Sequence, residues 1–233
     1  IQAAINDANP GDVIEVAAGT YEEDLTINKP LELYGAGASQ TKIIVSNKIE
    51  ATGLNGSLTF EGFEVEKPGE ESYTGTSFSL IGYGIDNEQI TITNNIFTKG
   101  RLYLDHLEQN VLISNNTFNN ASIGWDRHLG EIEVANNTIN VYDNGIGIFT
   151  WSWYIDGQQD TDNFDKLHWI HDNIIDANDG CGILYLSCRD RLGLSWPNKA
   201  KFTNLVIENN TISNIGDGWR DAGIALQRIA GQG

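Results

Sequence analysis

Apolar and polar residues alternate along this chain in short bursts, and five of the bursts share one pattern. They are Ile90-Thr-Ile-Thr-Asn-Asn-Ile-Phe97, Val111-Leu-Ile-Ser-Asn-Asn-Thr-Phe118, Ile132-Glu-Val-Ala-Asn-Asn-Thr-Ile139, His168-Trp-Ile-His-Asp-Asn-Ile-Ile175 and Leu205-Val-Ile-Glu-Asn-Asn-Thr-Ile212. In each, residues two apart lead into a polar pair that ends in Asn, and an apolar residue follows. A period of two marks a strand with one buried face. The closing Asn falls at 95, 116, 137, 173 and 210, so the steps are 21, 21, 36 and 37 residues. Recurrence at this period is the signature of a solenoid, whose units bury their apolar faces only by stacking on one another.

The first residue of the polar pair is Asn94, Asn115, Asn136, Asp172 or Asn209, and Gly62 holds the related place in Leu58-Thr-Phe-Glu-Gly-Phe-Glu-Val65. Asn, Asp and Gly best tolerate a left-handed backbone, so a tight bend is expected there. The second Asn is expected to stack coil on coil in a hydrogen-bonded side-chain ladder. The sequons at Asn115, Asn136 and Asn209 then read as turn chemistry rather than glycosylation sites. A second strand follows in several coils, at Leu102-Tyr-Leu104, Gly145-Ile-Gly-Ile-Phe149, Gly180-Cys-Gly-Ile-Leu184 and Ala222-Gly-Ile-Ala-Leu226, with a Gly marking the corner before it.

At the start, Ile1, Ala4, Ile5 and Ala8 share one helical face, and Asn9-Pro10-Gly11-Asp12 stops the helix. The pattern predicts a cap helix over 1–9 and coils over 12–233. Val13-Ile-Glu-Val16, Leu25-Thr-Ile27 and Leu31-Glu-Leu33 read as strands, and Gly19-Thr-Tyr21 as a turn. A helix here would cover strand edges and core that the first coil otherwise exposes.

This opening, with Lys29-Pro-Leu-Glu-Leu-Tyr-Gly-Ala-Gly37 after it, resembles the N-terminal cap and first coils of the pectin-lyase-like superfamily. With the Asn-Asn repeats the resemblance covers essentially the whole chain. It implies an all-β fold, a right-handed parallel β-helix in a single domain over 1–233, expected to be a piece of a longer protein. It implies less about function, because that superfamily holds polysaccharide lyases, hydrolases, esterases, epimerases, phage tailspikes and non-catalytic surface proteins. The calcium-and-arginine signature of pectate lyases and the paired aspartates of pectin esterases and polygalacturonases are not found in recognisable order.

Hydrophobic residues make up 40% of the 233, which suits a folded chain, and no apolar run is long enough to span a bilayer. The net charge of -18 argues against nucleic acid as a partner, because phosphate contacts need clustered Lys and Arg. A polyanionic ligand would need cations or a local basic patch. Cys181 and Cys188 lie on one predicted strand, roughly 20 Å apart when extended, beyond disulfide reach.

Candidate chemistry follows from the spacing. A 21-residue step is a bare coil, so the wider steps carry insertions of roughly fifteen residues. They fall at 150–166 and 187–201, after successive Gly-Ile strands, and should leave side by side from one edge. Loops on a rigid scaffold are where function concentrates. A smaller excursion spans 67–76. Trp151, Trp153, Tyr154 and Trp196 in the loop pair, with Trp125, Trp169 and Trp219 near in coil order, are candidates for stacking on sugar rings, against the simpler role of packing the loops onto the wall. Asp160, Asp162 and Asp165 are candidate calcium ligands, against a solvated acidic loop. Arg189 and Arg191 could clamp a uronate carboxylate or withdraw its alpha proton, against a structural pairing with Asp190. Asp126-Arg127-His128 and Asp105-His106 look like exposed acid–histidine pairs fit for acid–base work, with Arg127 on the substrate side and His128 a catalytic candidate. His168 replaces an inward apolar residue of the repeat and reads as a core histidine.

The sequence therefore points to a secreted or cell-surface β-helix that binds polysaccharide, with a lyase-like activity on an acidic glycan as its enzymatic form. The alternative is a structural or adhesive surface protein or filament segment. Head-to-tail self-association is open to it if the cap is displaced.

Overall fold

The computed structural model describes residues 1–69, 75–82, 88–126, 130–142, 145–152, 166–188, 204–217 and 222–229. The chain forms a parallel β-helix with a short N-terminal helix. One sheet has eight strands, and its order follows the coils from Val13–Val16 through Leu31–Gly35, Leu58–Glu61, Gln89–Thr93, Asn110–Ser114, Ile132–Ala135 and His168–His171 to Leu205–Glu208. The other has thirteen strands and bends across two sides of the coil, so that Ile96–Asp105, Thr117–Asp126 and Ile174–Cys188 each turn a corner without leaving the sheet. All pairings are parallel. Ile90 pairs with Val111, Val111 with Ile132, Ile132 with His168 and His168 with Leu205, which are the steps of the Asn ruler. No helix among the described residues is long and apolar enough to cross a membrane.

Alternation then fills the interior. Ile90, Ile92, Ile113, Val134 and Ile170 are fully buried from one sheet, and Phe97, Phe118, Ile139 and Ile175 from the other. Phe97 stacks on Phe118 at 4.9 Å, one coil apart. His168 is buried as expected, edge-on to Trp125 at 6.0 Å, with its Nδ1 3.4 Å from the hydroxyl of buried Tyr185. Burial pushes the Tyr185 phenol well up.

The bends are where the pattern placed them. Asn94, Asn115, Asn136, Asp172 and Asn209 have φ between 54° and 57°, and Gly62 has 81°. A second line of left-handed residues, Lys99, Asn120, Asn178 and Asp179, and Asn214, turns the thirteen-stranded sheet at its corner. Inside the first bend runs the ladder. Asn137 Oδ1 accepts from the backbone N–H of Asn116 at 3.0 Å and from its Nδ2 at 3.1 Å. Asn137 Nδ2 in turn donates to Asn173 Oδ1 at 3.0 Å and to Ile113 O at 2.9 Å. The same links join Asn95 to Asn116 and Asn173 to Asn210.

Two local expectations change. The helix spans Gln2–Asp7, and only Ile5 is buried in it while Ala4 is exposed, because a helix of under two turns rests on the coil along one short line. Gly19–Glu22 is a strand rather than a turn, paired with Thr41–Ile44; Gly19 is extended, and Thr20 and Tyr21 are strand formers. The 67–76 excursion rejoins the sheet at Thr76, at the corner of the coil, away from the edge where the long insertions leave. Cys181 is buried.

Replacing Asn137 with Ala strands the N–H of Asn116 and the carbonyl of Ile113 in the dry interior. Each such group costs about 1–3 kcal/mol, so the denaturation midpoint should fall well below that of Asn140→Ala, whose exposed side chain should cost under about 0.5 kcal/mol. Equal shifts for the two variants would contradict a stabilising ladder.

Candidate functional site

The long insertions leave from one edge. Along it, Ile81, Asp105, Asp126, Trp151, Leu186 and Gln227 are successive register partners in the thirteen-stranded sheet. Ser152 and Ser187, at the roots of the two insertions, are themselves partners. The stacked coils thus bring both roots together, as the spacing required. Trp151 is placed by its backbone on this edge. Arg127 and His128 follow Asp126 directly, but they lie outside the described residues, as do Trp153, Tyr154, Asp160, Asp162, Asp165, Arg189, Arg191 and Trp196.

On the described part of the edge, strand alternation sorts the side chains. Leu102, Leu104, Ile123 and Trp125 point into the core, which turns Arg101, Tyr103, Asp105, Gly124 and Asp126 outward. Tyr103, Gly124 and Phe149 form one outward column across three coils. The two rings face each other at 6.3 Å and 29°. Gly124 makes this possible, because a Cβ there would lie 2.2 Å from the Phe149 ring. The Arg101 guanidinium lies 5.1 Å from the Tyr103 ring centre and 5.6 Å from that of Phe149, within cation–π range. Phe149, Cys181, Leu184 and Ala225 form an apolar cluster separate from the solenoid core, with Tyr103 packed against it.

The next outward column carries carboxylates. Asp105 and Asp126 are register partners, so two acid–histidine pairs 21 residues apart in sequence begin on neighbouring strands. Asp105 Oδ1 is 2.8 Å from His106 Nδ1. His106 sits at φ 56° and donates its backbone N–H to Asp126 O at 3.2 Å. Asp126 is only 5% exposed, unlike the surface position its sequence context suggests. Its strand is flanked on both sides, by Asp105 and by Trp151, as that of Asp105 is by Ile81 and Asp126, so strand pairing alone does not account for the difference.

No family model, curated protein or solved structure matches this chain.

What the edge can do therefore rests on its own geometry. A carboxylate-held imidazole beside a second carboxylate is acid–base equipment. Aromatic faces can carry a sugar ring, and a guanidinium can hold an anionic group. Among the described residues, no group of three His, Cys, Asp or Glu side chains is arranged to hold a metal ion. Arg101, Tyr103 and Phe149 are functional candidates that the sequence pattern did not single out. Tyr103 and Gly124 could be aligned by the 21-residue step, but Phe149 stands 25 residues beyond Gly124, so a constant offset misses it.

Gly124→Ala should push the Phe149 ring off its place and cost about 1–3 kcal/mol. In a Phe149→Leu background the same change should cost much less. Denaturation midpoints for the four proteins of this cycle check it, and additive costs would contradict the ring-over-glycine contact.

Proposed function

We propose that this is a secreted or cell-surface β-helix protein of the pectin-lyase-like kind, which binds polysaccharide along the edge where Arg101, Tyr103 and Asp105 reach the surface over the buried Phe149 and beside the buried Asp126. The observation that carries the reading is the register of Asp105 with Asp126 at the edge from which both long insertions leave. A linear polymer lying across successive coils would meet aromatic surface, a cation and acid–base groups in turn. The sequence candidates Asp160, Asp162, Asp165, Arg189, Arg191 and His128 belong to the segments that follow Ser152, Cys188 and Asp126 along the chain. So do the tryptophans Trp153 and Trp196. Calcium held by the loop aspartates would allow an acidic chain to accept an acidic glycan.

Cleavage of a polyuronate by elimination fits the same groups. The His106–Asp105 pair takes the proton alpha to the uronate carboxylate, a carbon–carbon double bond forms, and the glycosidic carbon–oxygen bond breaks. The departing oxygen takes up a proton, returned by the same imidazole or delivered by water. Arg101 counters the uronate charge.

The alternative of a purely structural filament segment needs an open end. In the structure Ile5 of the N-terminal helix is fully buried, and the Gln2 side chain accepts from Thr26 N at 2.7 Å. Head-to-tail stacking would have to displace that helix.

Incubation with alginate, pectate and other polyuronates, with and without calcium, should raise ultraviolet absorbance as unsaturated ends form. Affinity gels of the same polymers should retard the protein. His106→Gln should cut the rate by about 100-fold or more while leaving retardation in place. Retardation without absorbance would remove the elimination step, and a flat trace with no retardation on any polymer would overturn the whole reading.

A further inference from the structure

The outer face of the eight-stranded sheet carries a second, differently charged surface. Its strands hold Glu15, Glu32, Glu61, Glu133 and Glu208 and neither Lys nor Arg. All five Glu side chains point outward: four alternate with buried residues of their strands, and Glu208 is exposed and alternates with the partly buried Leu205 and Ile207. At its N-terminal end Tyr34 donates its hydroxyl to Glu32 at 2.7 Å. Its phenol is pushed up by that hydrogen bond first, then by burial and by the negative charges of Glu32 and Glu61.

Toward the other end the surface becomes specific. The Trp169 and His171 rings stack at 3.8 Å and 26°. Trp169 Nε1 donates to Glu208 Oε1 on the next coil at 2.9 Å. His171 Nε2 lies 3.2 Å from Glu133 Oε1 on the preceding coil, and its Nδ1 lies 2.7 Å from Asp172 Oδ2. Glu133 pairs in register with Trp169, and His171 with Glu208, so these contacts run along crossed diagonals and lock the two rings between carboxylates.

This arrangement has spent its donors. The indole N–H and both imidazole nitrogens are engaged within the cluster. What it still offers is acceptor oxygens and ring surface. Glu133 Oε2, Asp172 Oδ1 and Glu208 Oε2 take no part in these contacts. The carboxylate side chains of Glu133 and Asp172 are 42% and 47% exposed. A ligand must therefore bring both hydrogen-bond donors and positive charge, which a protonated amine does, and an aromatic face adds cation–π attraction to it. Between the two aromatic ends the face carries Thr91, Thr93 and Leu112, with Ser114 buried beside Thr93. Eight parallel strands at about 4.8 Å spacing make a track of roughly 34 Å.

We propose that this sheet face, centred on Trp169 and His171 between Glu133, Asp172 and Glu208, is a docking surface for a glycan bearing free amino groups. Charge complementarity selects the amine. The flat track of threonine hydroxyls and apolar side chains suits the polar rims and apolar faces of sugar rings better than a basic peptide, whose side chains want pockets. The inference takes only the kind of polymer from the polysaccharide reading above; it concerns a different face and different residues.

Titration of the protein with glucosamine oligomers, at a pH where their amines are protonated, tests it through retardation and tryptophan emission. N-acetylated oligomers, a polyuronate and polylysine form the other arms. Binding of the amino oligomer should weaken at least tenfold on N-acetylation, in the Glu133→Gln/Glu208→Gln double variant and in Trp169→Ala, and it should fall with added salt. These variants should leave any polyuronate binding at the other edge unchanged, so loss of polyuronate binding in the wild type speaks only against that edge. Equal binding of the acetylated oligomer, an unaffected double variant, or binding of polylysine without the amino oligomer would overturn the proposal.

Discussion

One interaction holds this molecule in register: the asparagine side chain that joins each coil to the next inside the bend. Asn95, Asn116, Asn137 and Asn173 are almost wholly buried, and each accepts from the preceding coil while donating onward. A buried amide is tolerable only when its donors and acceptor are all met. In a stack, the neighbouring coil's identical amide meets them. The requirement passes from coil to coil, so a slip of one residue anywhere would strand a buried amide and turn the apolar face outward. The residue before each ladder Asn must then adopt a left-handed backbone, which explains why that position holds only Asn or Asp, with Gly62 in the coil before the ladder begins.

This constraint fixes where the chain can vary. The bend and the strands around it are pinned, so extra residues must leave elsewhere. They leave at the far edge of the thirteen-stranded sheet, beyond Ser152 and beyond the strand that ends at Cys188. The same registry aligns outward side chains in columns. It sets Asp105 beside Asp126, lets Phe149 lie over Gly124, and places Glu133 and Glu208 one coil to either side of the Trp169–His171 stack. The two surfaces differ in chemistry because they belong to different sheets of one stack.

The interior was largely legible in the sequence. Alternation, the Asn ruler and the bend residues each follow from local chemistry that repeats, and His168 could be assigned to the core from its place in the repeat. The outer surfaces were less legible. Their contacts run between coils whose steps differ, so Phe149 and Tyr103 share no fixed offset, and His171 meets Glu133 across 38 residues. Asp126 reads as exposed because Arg127 and His128 follow it, yet it is buried, a tertiary property that the local sequence does not carry. Gly19–Glu22 was misjudged for a similar reason, since a Gly at an extended φ reads as a turn until its partner strand is known.

Residue-resolved amide hydrogen exchange tests the ladder most directly. The backbone N–H groups of Asn95, Asn116, Asn137 and Asn173 each donate to the next ladder oxygen at 3.0 Å. If the ladder governs the stack, these amides exchange with the slowest group in the molecule and only through cooperative opening of neighbouring coils. Exchange at the rates of surface turns, or independently of one another, would show that strand pairing and apolar packing hold the coils without the ladder.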